Sequence, residues 1–355
     1  MRKNFVNITL FVLTTLGTLL TIEVVMCLFI FKPKSILPNG LLTQSSISLL
    51  TPGFKGKFNN NEISSEISIN SKGLRDKEVY YTKKNKEFRI LGLGDSFTFS
   101  YTSYKNNFLT ILEDSLNKNK NKISIIKAGV PGTGPDFYYN FYEKEGFKYN
   151  PDLILINIYI GNDVTNIGEM SSFSSTKENN LNVNFFYILK TWLRNNSRLY
   201  TFVVNKVKGI PIIKKKLNDS GISPDVYEVY NKTPGENLVL KWKKLSSIIN
   251  NFKNYNKKII VVIIPSIFQI DKDQEKKLLK SRINDNYDVN YPTQRLEKLL
   301  LTHGVDYVNP LYSLQKANSQ KSLTYITDGH FNAHANLILA NEIKEFLFHN
   351  KLILE

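Results

Sequence analysis

Four short stretches of the chain carry the residue types that ester cleavage through a serine requires. The chemistry needs a nucleophilic hydroxyl, a base, an acid to orient the base, and donors for an oxyanion. Gly94-Asp95-Ser96 places a hydroxyl directly after the apolar run 88–93. Gly129-Val130-Pro131-Gly132-Thr133-Gly134 follows a second apolar run, 123–128. Its glycines let backbone N–H groups approach a ligand closely. Gly161-Asn162-Asp163 follows a third run, 153–159. The Asn162 amide can donate to a developing oxyanion without ionising. Asp328-Gly329-His330 precedes the last helical pattern, and an Asp beside a His can fix its tautomer and stabilise the imidazolium. Each stretch also has a plain structural reading. Asp95-Ser96 suits a helix cap, the Gly/Pro run an ordinary loop, and Gly-Asn-Asp a turn. Asp328 and Asn332 suit caps beside a surface His330.

The elements that must position these residues follow from hydropathy. Strand-like runs occupy 88–93, 123–128, 153–159, 259–264 and 305–308, each short and nearly continuous in Ile, Val or Leu. Such runs suit a parallel sheet buried on both faces. Phe108, Leu109, Ile111, Leu112 and Leu116 mark one face of a helix between the first two strands. Further helices are expected over 136–145, 236–254 and 333–348, the last with Leu337, Ile338, Ala340, Ile343, Phe346 and Leu347 facing inward. Alternation of this kind predicts a three-layer α/β/α, flavodoxin-like fold with a parallel sheet. Residues 164–257 interrupt it and are expected to be a helical insertion, with a further apolar helical stretch near 184–207. Ligands of such open sheets gather at the C-terminal ends of the strands, where Ser96, the glycine loop and Asn162 all fall.

In this order the four blocks resemble the SGNH (GDSL) hydrolase superfamily, over roughly residues 85–350. The resemblance implies Ser96 as nucleophile, His330 as base and Asp328 as its acid. It implies an oxyanion hole from Ser96, Gly132 and Asn162, with Gly129 the second choice for the glycine. No metal or organic cofactor is implied. Two features depart from the pattern: the last block is Asp-x-His rather than Asp-x-x-His, with Thr327 three residues before His330, and Lys127 stands where an Asn is frequent. Gly73-Leu74-Arg75-Asp76 and Tyr149-Asn150-Pro151-Asp152 are similar to bacterial membrane-anchored members, in which the catalytic domain faces away from the cytoplasm. The function implied is a serine esterase acting on an ester-bearing glycan, lipid or small molecule. An O-acetyltransferase for a surface polysaccharide is the nearest alternative, and a catalytically silent glycan-binding or assembly protein the next.

Between Lys3 and Lys32 lie 28 residues with one charge, Glu23. That length exceeds the roughly 20 residues of a membrane-spanning helix. The expected division is a transmembrane signal anchor over 1–31, a membrane-proximal linker and edge segment over 32–84, and the hydrolase domain over 85–350.

Other readings drop out. The chain of 355 residues carries a net charge of +16, but no basic run is interleaved with aromatics as in a nucleic-acid module. Its single cysteine, Cys27, cannot form an intrachain disulfide. Gly92-x-Gly94 lacks the third glycine of a dinucleotide fingerprint, and no Gly-Lys-Ser/Thr marks a P-loop. Ser96 is not in Gly-x-Ser-x-Gly, which excludes the α/β-hydrolase elbow. His330 and His334 have no Glu between them and make a poor metal pair.

Overall fold

The computed structural model describes residues 2–26, 50–59, 62–118, 122–168, 197, 199–200, 227–281, 286–325 and 329–353. The chain divides into two units, Met1–Ile36 with Lys177–Asp225, and Leu37–Thr176 with Val226–Glu355.

In the first unit, helix α1 spans Arg2–Val25. The hydroxyls of Thr14, Thr15, Thr18 and Thr21 donate to carbonyls of the preceding turn. Glu23 accepts from Ser197 Oγ (2.8 Å) and Leu199 N (3.0 Å). Among the described residues no helix is long and apolar enough to cross a membrane. The transmembrane anchor expected over 1–31 is therefore not supported. Within Arg2–Val25 the apolar residues are interrupted by Asn4, Asn7, five threonines and Glu23.

The second unit opens with an antiparallel pair, β1 (Lys55–Asn59) and β2 (Ser64–Ser68). The segment expected over 32–84 to be linker and sheet edge thus contains an antiparallel pair of its own. Five parallel strands follow: β3 (Phe88–Gly94), β4 (Ile123–Gly129), β5 (Leu153–Tyr159), β6 (Lys258–Ile264) and β7 (Asp306–Val308). Their order is β4-β3-β5-β6-β7, the flavodoxin-like order in which the chain reverses direction beside the first strand. Every expected strand is present within one residue of its sequence limits.

Both faces are buried because successive side chains point to opposite sides. Ile259, Val261 and Ile263 of β6 join one apolar cluster, and Ile260, Val262 and Ile264 join the other. Helices α4 (Pro135–Lys144), α6 (Glu236–Lys253) and α9 (Tyr291–His303) cover the first face. Helices α3 (Phe108–Leu116), α10 (Leu311–Asn318) and α11 (Ala333–His349) cover the second. Short helices α2 (Ser96–Phe99), α5 (Asp163–Asn166) and α7 (Ile267–Ile270), with the longer α8 (Lys272–Lys280), occupy the connections.

Two expectations change. Residues 164–257 are not a single insertion: α6 is a layer helix, with Trp242, Leu245, Ile249 and Phe252 in the core, and residues 177–225 belong to the first unit. Most of the stretch 184–207 lies outside the described residues. On α11 the buried stripe is Asn336, Leu339, Ala340, Ile343 and Leu347, whereas Leu337 is exposed. At 100° per residue, Leu337 falls nearly opposite Leu339.

Strand β4 is the sheet edge beside β3, and side chains close it. Ile123 N donates to Asn117 Oδ1 (2.9 Å), Ile125 N to Glu113 Oε1 (3.2 Å) and Lys127 N to Asp76 Oδ2 (3.0 Å). An edge with its donors occupied cannot template another strand. Lys127 completes the arrangement. Its Nζ donates to Asp76 Oδ1 (3.1 Å), Glu113 Oε2 (2.8 Å) and Ile125 O (3.1 Å), and its side chain is 1% exposed. Burial opposes its charge, but the two carboxylates outweigh burial and raise its pKa above the usual lysine value. The departure from the family pattern at this position is thus the cation of a buried cluster. Lys127→Met leaves Asp76 buried without its cation, while Glu113 keeps Lys77 at 2.6 Å, and is expected to lower stability by about 3 kcal/mol. Urea denaturation of the two proteins measures this directly.

Candidate active site

Ser96 stands where β3 gives way to α2. Two paired strand-end glycines, Gly94 and Gly129, make room for that turn. A Cβ on Gly94 would lie 2.0 Å from Thr98 Oγ1, and one on Gly129 would lie 2.2 Å from Phe99 N. Only glycine permits so close an approach. Asp95 caps α2, its Oδ1 accepting from Phe97 N (2.9 Å). Ser96 is half-buried at the rim.

His330 arrives from the far end of the chain. Gly329 at φ +76° turns the backbone into it. Tyr325 N donates to His330 O (2.9 Å), and Thr324 bridges Phe331. Asn332 then caps α11 by accepting from His334 N (3.0 Å) and Ala335 N (3.2 Å). These bonds fix the residue so that His330 Nε2 lies 2.9 Å from Ser96 Oγ. Its ring is held between Phe97 (centroids 4.9 Å apart) and Tyr101 (4.8 Å, edge-on). Phe97 also stacks on Tyr159 at 4.0 Å. Phe97 and Phe99 are both buried, so they brace the site from beneath.

The remaining expected residues flank Ser96 through the strand order. Gly132 follows β4 on one side of β3, and Asn162 follows β5 on the other. Gly132 is exposed, with φ +76° and no heavy atom within 4 Å of a Cβ built on it. Gly129, by contrast, is packed against α2. The Asn162 carbonyl accepts from Asn166 N and Thr165 Oγ1, both at 2.8 Å, which anchors the residue at the start of α5. Its side-chain Oδ1 is buried with no hydrogen bond among the described residues. Asp328 lies outside the described residues.

Beneath the pair lie two buried carboxyls that pattern reading did not single out as a unit. Asp163 Oδ2 accepts from Tyr138 OH and Tyr159 N, both at 2.9 Å. Burial, reinforced by Asp95, pushes its pKa well above the carboxylate range. Asp95 Oδ2 lies 3.3 Å from Ser96 Oγ. Burial raises its pKa to about 6, against the opposing pull of the Phe97 N–H and of His330. Asp95 follows β3 directly and Asp163 comes four residues after the end of β5, the one available signal that they would be desolvated.

The chain matches no family model and no curated protein. Among solved structures it is similar to an acetyl xylan esterase at 14% identity, with 74% of this chain and all of the other covered and a TM-score of 0.43. An acetylxylan esterase from Geobacillus stearothermophilus aligns at 11% identity over 74% of this chain and 94% of its own, with a TM-score of 0.42. A lipase/acylhydrolase from Enterococcus faecalis aligns at 12% identity over 74% and 96%, with a TM-score of 0.40.

The Asp95 carboxyl yields a pH test. An acid whose pKa is higher folded than unfolded favours the folded state most at low pH, and loses that contribution as pH rises through its folded pKa. Asp95→Asn cannot ionise. It is expected to raise the thermal midpoint at pH 7 and to show no such gain at about pH 4, since the window runs from the ordinary value of 3.8 to about 6. Thermal denaturation of both proteins at the two pH values checks this.

Proposed function

We propose that this chain is a serine esterase of the SGNH type, with O-acetyl groups on a glycan as the first substrate class. The observation that carries the reading is the 2.9 Å contact between His330 Nε2 and Ser96 Oγ. A general base must lie within hydrogen-bond reach of the proton it takes. In the proposed reaction, His330 Nε2 accepts the Ser96 proton as Oγ bonds to the ester carbonyl carbon. The Ser96 and Gly132 N–H groups and the Asn162 amide hold the resulting oxyanion. His330 returns the proton to the departing alkoxide oxygen, leaving Ser96 acylated. Water, deprotonated by His330, then releases the carboxylic acid and restores the serine. Asp328 is assigned as the acid that orients His330, from its place two residues earlier in the sequence. Attachment to a membrane through α1, with the catalytic unit outside the cytoplasm, belongs to the same proposal. The exposed side chains of Leu10, Phe11, Leu13, Leu19 and Leu20 support it.

The test is acetate release from p-nitrophenyl acetate and from an acetylated xylo-oligosaccharide. Ser96→Ala and His330→Ala are each expected to lower kcat by about 10³-fold or more, since triad members act as a unit. Folded variants that release acetate as fast as wild type would sink the assignment. Acetyl transfer to an added sugar hydroxyl in preference to water would replace esterase by acetyltransferase.

A further inference from the structure

The turn that leads away from α2 carries backbone strain. Ser100, buried and not a glycine, has φ 57° and ψ 131°. L residues rarely adopt positive φ, and such a conformation persists only where its surroundings over-determine it. Here they do. Arg75 Nη1 donates to Phe99 O (2.9 Å) and Nη2 to Thr102 O (2.8 Å), one carbonyl on each side of Ser100. Nη2 also reaches Glu66 O (3.2 Å) on β2, and the guanidinium lies 4.9 Å from the Phe99 ring centroid. Asn107 Nδ2 holds Thr98 O at 2.8 Å, and Ser100 Oγ lies 2.8 Å from Thr102 Oγ1.

The turn held in this way presents Tyr101. That ring meets Phe58 at 4.7 Å and Phe99 at 5.5 Å, and stands edge-on to the His330 imidazole at 4.8 Å. Arg75 itself is 4% exposed, and among the described residues no carboxylate pairs with it. Burial lowers its pKa to about 10, so it is charged at neutral pH. A buried cation without a counter-charge is costly. An apolar residue would fill the space at less cost, but only a planar guanidinium fork can bridge two carbonyls at fixed spacing.

We propose that Arg75 is a positioning residue: by clamping the strained turn at Phe99 and Thr102 it fixes Tyr101 against His330, and so holds the imidazole within reach of Ser96. The inference rests on the esterase reading above. It gives Arg75 of Gly73-Leu74-Arg75-Asp76 a task in the reaction.

The test uses the full-length chain with Arg75→Lys, Ser100→Gly and Ser100→Ala. Ser100→Gly relaxes the strain. Its thermal midpoint is expected to equal or exceed that of wild type while kcat for p-nitrophenyl acetate falls about tenfold at unchanged KM. Ser100→Ala keeps the strain and is the control for the lost hydroxyl. Arg75→Lys keeps the charge and loses the fork. Its kcat is expected to fall at least as far, and the NMR signal of the His330 imidazole, assigned by its loss in His330→Gln, is expected to shift. A Ser100→Gly protein of equal or greater stability with undiminished kcat overturns the inference. So does an Arg75→Lys protein whose His330 signal has not moved. Wild type that hydrolyses no ester overturns the esterase reading instead, so the two failures are distinct.

Discussion

The hydrogen bond between Ser96 and His330 joins residues 234 positions apart, and only a sheet that delivers both to one edge can make it. Parallel strands send all their C-terminal ends the same way. The strand order then sets β3 between β4 and β5, so that Ser96 has the glycine loop on one side and Asn162 on the other. The constraint is tight where α2 sits down on the strand ends. A single Cβ at Gly94 or Gly129 would meet α2 at 2.0 or 2.2 Å, displacing Ser96 and with it the contact to His330.

Charge burial is the second organising theme. Lys127 with Asp76 and Glu113 closes the sheet edge, Arg75 clamps the turn after α2, and Asp95 and Asp163 lie beneath Ser96 and His330. Each carries a desolvation cost. Offsetting them is an apolar core on both faces of the sheet, of which the fully buried β6 is the clearest part. Polar groups are buried at the other borders too: Arg89 at the start of β3 donates to Tyr149 O (2.8 Å), and Gln269 after β6 donates to Thr293 Oγ1 (2.7 Å).

Much of this was legible in the sequence. The strands announced themselves because a sheet buried on both faces needs continuous apolar runs, and three of the four blocks fell at strand ends in chain order, the fourth just before the last helix. Ser96 and His330 were legible as types, though their separation of 2.9 Å is a property of the folded sheet alone. What stayed hidden depends on contacts distant in sequence. Lys127 reads as an aberrant residue until Asp76 and Glu113 are beside it. Asp95 reads as a helix cap, and nothing local shows that Asp163 shares its pocket. Helix α6 was grouped with an insertion because the preceding polar stretch obscures its amphipathic face. The family resemblance placed Asp328, and the described residues add nothing to it.

The most direct measurement is the site of covalent capture by a fluorophosphonate. The full-length protein would be labelled, digested and mapped by mass spectrometry, with His330→Ala alongside. An activated serine at the C-terminal edge of β3 predicts one adduct, on Ser96, that disappears in His330→Ala. A folded wild-type protein that takes no label, or takes it on another residue, would contradict the account.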